Sequence, residues 1–359
     1  MGVDCMIYHL SYYLKFYWPF FNVLHYVSVR AVASLLTSLL FSLVLGEPFI
    51  ALSRRFFRSK AREFTPDTHK IKGSMPTMGG LFILATVLIN SLLWCDLGNY
   101  QVWIFLFCIM SFGMLGFWDD WNKIHAQKGI SSGSKFILQL MIAVLVIFCL
   151  IFFTSFSTEL IFPFFKHCRP DLGLFFIPWA VFILVGCSNA VNLTDGLDGL
   201  AIGSLLPNFA TFTLICYLAG HYGIAHYLQI PFAGTAEIVV IGAILIGASL
   251  GFLWYNAYPA QIFMGDVGSL ALGAGLALMA IMAKQELLLS ISGGLFVLET
   301  VSVMVQVLSV RYLGKRIFKM APIHHHFELL GWPESRITTR FGIISLVLCL
   351  LALITLKLR

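Results

Sequence analysis

Five short stretches of this chain concentrate side chains able to do chemistry. Asp119 and Asp120 stand side by side in Phe117-Trp118-Asp119-Asp120-Trp121-Asn122-Lys123. From Asn189 to Gly199 the chain offers Asn189, Asn192, Thr194, Asp195 and Asp198, with Gly196 and Gly199 permitting tight turns. From Asn256 to Ser269 it offers Asn256, Gln261, Phe263 and the pair Gly265-Asp266. His324, His325 and His326 are consecutive and internal, with Glu328 close behind. Lys70, Lys72, Thr77, Gly79 and Gly80 make the fifth stretch.

Each stretch has a bland reading beside a chemical one. Adjacent carboxylates at the end of an apolar run are either solvated or held by a metal or a basic group. Asp119 and Asp120 close a helix at its C-terminal end, where the macrodipole disfavours negative charge, and this favours a functional reading. Capping and turn formation explain one or two of the groups between Asn189 and Asp198, not all five. Gly265-Asp266 opens an apolar helix, so Asp266 is either an N-terminal cap or a carboxylate that holds Mg²⁺. The three histidines suit hydrogen bonding to an anion better than zinc, because no cysteine or spaced ligand accompanies them. Lys72 or Lys70, with Thr77 and the glycine amides, can contact phosphate or simply set membrane orientation.

Carboxylates and lysines without a Ser-His or Cys-His grouping suit Mg²⁺-assisted phosphoryl transfer. Mg²⁺ prefers one or two carboxylates together with phosphate oxygens and water. Lysines such as Lys72, Lys123 and Lys135 would add positive charge where negative charge develops.

The elements that must position these groups are membrane helices. Of the 359 residues 59% are hydrophobic and 11% charged, too little polar surface to cover a soluble globule. Continuous apolar runs predict ten spans, near 26–46, 79–95, 101–117, 135–153, 174–190, 200–219, 237–256, 267–283, 288–308 and 341–357. The runs are not the alternating segments of a barrel, so the fold class is an all-α integral membrane protein. Most of the 23 lysines and arginines fall in alternate loops: Arg54 to Lys72, Lys123 to Lys135, and Arg311 to Arg340. That bias places these loops in the cytoplasm and both termini outside. All five chemical stretches then share the cytoplasmic face. The net charge of +6 is a topology signal and implies no nucleic acid. The eight cysteines are scattered, mostly within apolar runs, and have neither metal-ligand spacing nor a disulfide framework. Residues 1–21, with Tyr12, Tyr13, Tyr17 and Trp18, read as an interfacial extension rather than a signal peptide, and 22–359 as one polytopic domain.

The motifs resemble the phospho-N-acetylmuramoyl-pentapeptide transferases, of the polyprenyl-phosphate N-acetylhexosamine-1-phosphate transferase superfamily. Pro76-Thr77-Met78-Gly79-Gly80, Asp119-Asp120, Asn189 to Gly199, Asn256 to Ser269 and Met320 to Pro333 carry the resemblance, which runs from about residue 22 to the C-terminus. The paired aspartates and Asn-Leu-Thr-Asp-Gly fit the superfamily in general. His-His-His-Phe-Glu-Leu points to the muramoyl-pentapeptide branch.

The resemblance implies ten helices, a homodimer and Mg²⁺-dependent transfer at the inner face of a bacterial cell membrane. UDP-N-acetylmuramoyl-pentapeptide and undecaprenyl phosphate would give lipid I and UMP. By position, Asp266 matches the metal ligand, and Asp119, with Asp120 beside it, matches the aspartate that deprotonates or orients the lipid phosphate. Asp195 and Asn192 match groups near the metal and diphosphate. Asn189, Asp198 and Phe263 match the uridine pocket, and Asn256 and Thr77 go with the substrate contacts. Lys72, Lys123 and Lys135 match phosphate-facing lysines, and His324, His325 and His326 match substrate contacts. The family's usual Gly-Thr-Pro-Thr-Met-Gly-Gly is here Gly73-Ser74-Met75-Pro76-Thr77-Met78-Gly79-Gly80, which leaves Lys70 and Lys72 competing for one role. Two rivals stand beside this reading. A sister transferase using UDP-N-acetylglucosamine shares the carboxylates but not the histidine segment. A transporter calls for ionisable groups near the bilayer midplane, where only Glu299 sits.

Overall fold

A computed structural model describes residues 7, 11, 15–57, 75–154, 156–165 and 168–357. Each apolar stretch predicted from the sequence is helical over most of its length. The long helices are α1 (Val27–Phe56), α2 (Gly79–Trp94), α3 (Tyr100–His125), α4 (Ser132–Phe153), α5 (Phe176–Thr194) and α6 (Leu200–Gly220). After the short α7 (Tyr222–Leu228) come α8 (Ala236–Asn256), α9 (Gly265–Met282), the short α10 (Glu286–Ser292) and α11 (Gly294–Leu313). A six-residue helix, α12 (Ile323–Glu328), precedes the last, α13 (Glu334–Thr355). Among the described residues, nine helices are long and apolar enough to cross a membrane, and α2, with 16 residues, is a shorter apolar helix.

Helix limits differ from the apolar runs wherever a helix continues past the hydrocarbon. α1 runs on to Phe56 and carries Arg54 and Arg55 in its last turn, and α13 begins at Glu334, directly after Pro333. The predicted ninth span is two helices, broken at Gly293. Between α4 and α5 the only extended pairing among the described residues is an isolated antiparallel bridge, Glu159 to Asp171.

α9 is the central pillar. Every residue from Val267 to Met282 is buried, with α3 and α5 packed most extensively on it. Small residues allow this. A methyl group added at Gly80 of α2 would lie 2.1 Å from the Gly268 nitrogen, and one at Gly116 of α3 only 2.3 Å from the Asp266 carbonyl oxygen. Without driving force from water between helices, such close backbone approach supplies the packing. α8 is sandwiched mainly between α1 and α6. Far from Asp266 along this bundle, Arg30 of α1 forms a bidentate ion pair with Glu237 at the start of α8, at 2.6 and 2.9 Å. Glu237 also accepts the Asp96 N–H at 2.9 Å, so one buried carboxylate ties α1, α8 and the end of α2 together.

At the opposite end, α3, α5, α8 and α11 finish and α2, α4, α6, α9 and α13 begin. A second, small apolar cluster sits there. Leu197, Leu200, Leu295, Ile337 and Phe341 pack with Ile323, Phe327 and Trp332, fixing α12 beneath α11 and α13.

Candidate active site

Asp266 opens α9, directly after Gly265, whose φ of +74° is a left-handed conformation suited to glycine. A side chain at Gly265 would also meet Asp120 Oδ2 at 2.6 Å. The tight entry turns the Asp266 N–H onto Asp120 Oδ2 at 2.8 Å and points the Asp266 carboxylate at three other helices. Its Oδ1 accepts from Asn192 of α5 at 2.9 Å. Its Oδ2 accepts from Lys123 of α3 at 2.8 Å and from Lys135 of α4 at 2.5 Å.

The two lysines bind the paired aspartates as well. Lys123 lies 3.0 Å from Asp119 and 3.1 Å from Asp120, one helical turn back along α3. Lys135 donates to Asp119 Oδ2 at 3.0 Å. Asp119 Oδ1 accepts the Ile130 N–H at 2.8 Å, so the loop between α3 and α4 folds over this carboxylate. Gly129 makes that fold possible, since a methyl group there would lie 2.6 Å from Asp119 Oδ1. Asn192 is itself aligned by a 2.8 Å bond to Ser269, which in turn donates to the Gly265 carbonyl.

Asp195 follows the end of α5 on the same side. Burial, then the charges of Asp266 and Asp120, push its carboxyl up to about 8, and the Gly265 N–H offsets only part of this. The direction has a plain cause. Among the described residues four carboxylates, Asp119, Asp120, Asp195 and Asp266, face two ammonium groups, Lys123 and Lys135.

The donor chemistry fits Mg²⁺: the available ligands are hard carboxylate oxygens of Asp266, Asp195 and Asp120. Among the described residues, no three His, Cys, Asp or Glu side chains form a ready metal-holding group. Mg²⁺ takes one or two carboxylates and completes its shell with substrate phosphate and water.

The profile of the family described as "Glycosyl transferase family 4" matches residues 102–284, which span α3 to the end of α9. A phospho-N-acetylmuramoyl-pentapeptide-transferase of Citrifermentans bemidjiense is 48% identical over 359 residues, covering 99% of this chain and all of the relative. A transferase of the same name from Solidesulfovibrio magneticus is 49% identical over 358 residues, again covering 99% of this chain and all of the relative. The chain belongs to the phospho-N-acetylmuramoyl-pentapeptide-transferase family.

Asp119, Asp120, Asn192, Lys123, Lys135 and Asp266 form one hydrogen-bonded cluster, with Asp195 at its side. Lys72 and its competitor Lys70 lie outside the described residues. Thr77 flanks Gly265: its carbonyl accepts from Ser53 of α1 at 3.0 Å, and Phe263 reaches the same strip through its N–H to the Pro76 carbonyl at 3.0 Å.

Other predicted contacts are turned inward. Asn256 accepts the Gly199 N–H at 3.1 Å and donates to the Ile262 carbonyl at 2.8 Å. Asp198 accepts the Ala260 N–H at 3.1 Å. Both are buried, and they staple the loop after α8 to the turn after α5. Asn189 exchanges hydrogen bonds with Gln139 of α4, at 2.8 and 3.3 Å.

The histidines, read from sequence as one triplet of substrate contacts, divide by placement. His324 is wholly buried, with Nδ1 3.1 Å from Glu299 Oε2 of α11. His325 pairs with Glu328 at 2.7 Å, and His326 Nδ1 accepts the Lys319 N–H at 3.1 Å. Gln139, Ser269 and Glu299 carry geometry that the motif reading did not assign. Gln139 had a usable signal, as a lone amide one helical turn beyond Lys135 within an apolar run.

Proposed function

We propose that this chain transfers phospho-N-acetylmuramoyl-pentapeptide from its UDP carrier to undecaprenyl phosphate, giving lipid I and UMP. One observation supports it above the others. Four helices bring Asp266, Asn192, Lys123 and Lys135 into direct contact, in a chain that matches whole transferases of that name over 99% of its length.

In this reaction an oxygen of the lipid phosphate bonds to the β-phosphorus of the nucleotide sugar. The bond from that phosphorus to the bridging oxygen breaks, and UMP departs with the electron pair. A lipid phosphate is already ionised near neutral pH, so no strong base is required. Asp119 has Oδ1 on a backbone N–H and Oδ2 shared by two lysines, which suits orientation better than proton abstraction. Lys123 and Lys135 provide positive charge at the edge of the cluster for diphosphate oxygens. Mg²⁺, held by Asp266 with Asp195 and Asp120 nearby, would neutralise diphosphate charge and stabilise the leaving phosphate.

The arrangement in the cell follows from charge. The end that carries the cluster also carries Arg54, Arg55, Lys123, Lys128, Arg311, Lys315 and Arg316, and the bias of basic residues assigns it to the cytoplasm. With α2 counted as a span, ten helices cross the bacterial cell membrane and both termini lie outside. A cytosolic nucleotide sugar and a lipid phosphate then meet at the inner leaflet, and the family resemblance favours a homodimer.

The test is UMP release by purified protein given Mg²⁺, undecaprenyl phosphate and either UDP-N-acetylmuramoyl-pentapeptide or UDP-N-acetylglucosamine. Release from the muramoyl substrate alone, abolished by EDTA, is expected. Release only from UDP-N-acetylglucosamine would transfer the chain to the sister activity.

A further inference from the structure

Glu299 is the one carboxylate set deep within α11, and the phosphotransfer chemistry does not use it directly. It is fully buried, as is its partner His324. The contact between them is a single one, His324 Nδ1 to Glu299 Oε2 at 3.1 Å, and among the described residues Glu299 Oε1 and His324 Nε2 have no hydrogen-bond partner. A buried pair left half-satisfied is a poor device for stability, because apolar side chains of similar volume usually serve the fold as well or better.

The far edge of the His324 ring shows what the pair supports. A methyl group added at Gly196 would lie 2.3 Å from Nε2, so the imidazole is seated directly on the turn after α5. That turn begins with Asp195, whose carboxyl lies close enough to Asp266 and Asp120 to feel their charge. Glu299, His324, Gly196 and Asp195 therefore form one continuous line, from inside α11 to the turn beside the Asp266 cluster.

We propose that Glu299 is a positioning residue: through His324 it holds the Asp195 turn in register with Asp266. The assignment rests on the transferase reading and goes beyond it, because Glu299 touches no reacting group. It also gives buried His324 a role that needs no substrate contact. The Glu299 side chain fixes the ring plane through Nδ1, as a carboxylate behind a working histidine does elsewhere.

The experiment compares Glu299→Ala, Glu299→Gln and Gly196→Ala with the wild type. It measures kcat, both KM values, the Mg²⁺ concentration at half-activity, UMP binding by calorimetry and the thermal midpoint in detergent. Glu299→Gln keeps an acceptor for Nδ1–H and should stay within about twofold of wild type. Glu299→Ala should lose about tenfold or more in kcat and need more Mg²⁺, with UMP affinity and thermal midpoint unchanged. Gly196→Ala displaces the ring from the other side without removing a polar group, and should show the same signature. It alone decides if Glu299→Ala does not fold. Wild-type kcat and Mg²⁺ dependence in Gly196→Ala and in a folded Glu299→Ala would overturn the proposal, as would equal losses in Glu299→Gln and Glu299→Ala. A wild type that releases no UMP would instead refute the transferase reading on which the proposal rests.

Discussion

Asp266 is the residue on which the site turns. Its two oxygens accept from Asn192, Lys123 and Lys135, and its N–H engages Asp120. In Asp266→Asn the charge that a divalent cation needs is gone. Lys123 keeps Asp119 and Asp120, and Lys135 keeps Asp119, so the fold has little reason to change. Mg²⁺-dependent turnover should fall by about a thousandfold, roughly 4 kcal/mol of barrier, with the thermal midpoint within a few degrees of wild type. Steady-state UMP release and a melting curve check this, and near-normal turnover would remove Asp266 from the metal site. The cluster of aspartates and lysines was legible in the sequence, because carboxylates at a membrane boundary call for a cation or a base. The direction each side chain faces was not. Asp198, Asn256 and His324 have the right types in the right motifs, yet they bind backbone or another buried group. Residue type announces hydrogen-bonding capacity, and only the fold decides what uses it.

At the scale of elements, position depends on how closely helices approach α9. Gly116 lets α3 lie against the Asp266 carbonyl, where a methyl group would stand 2.3 Å away. Gly116→Ala must push α3, which carries Asp119, Asp120 and Lys123, away from α9. Overpacking of this kind costs about 1–3 kcal/mol, so the thermal midpoint should fall and activity should fall further than stability does. A melting curve beside kcat/KM measures both, and an unchanged midpoint would contradict the packing. Gly116 is invisible to a motif search, since one glycine in an apolar run has no distinguishing pattern. The helices themselves were legible, because runs of apolar residues mark what crosses hydrocarbon. Their ends were not. α1 continues to Phe56 and α11 starts only after the break at Gly293. Hydropathy also has nothing to say about helices as short as α7 and α12.

For the whole molecule, the account requires the Arg30–Glu237 end and the Asp266 end to lie on opposite sides of the membrane. Cys168 is exposed in the connection between α4 and α5, at the end away from Asp266. In a Cys5→Ser background, a membrane-impermeant maleimide should label Cys168 in cells whose outer barrier has been opened. A cysteine placed by Lys319→Cys, near His326, should react only after the membrane is permeabilised. The reverse pattern would invert the orientation. The distribution of lysine and arginine predicts this orientation and puts the five stretches on one face, whereas the contacts among Asp119, Asp120, Asn192, Lys123, Lys135 and Asp266 needed the fold.

The cluster at this one end is proposed to join a nucleotide sugar to a lipid phosphate. Mass spectrometry of the lipid extract after incubation with Mg²⁺, undecaprenyl phosphate and UDP-N-acetylmuramoyl-pentapeptide tests it most directly. The expected product is a lipid heavier than the acceptor by one phospho-N-acetylmuramoyl-pentapeptide unit, formed in step with UMP and missing with Asp266→Asn. An unchanged lipid in a folded, Mg²⁺-supplied preparation would contradict it.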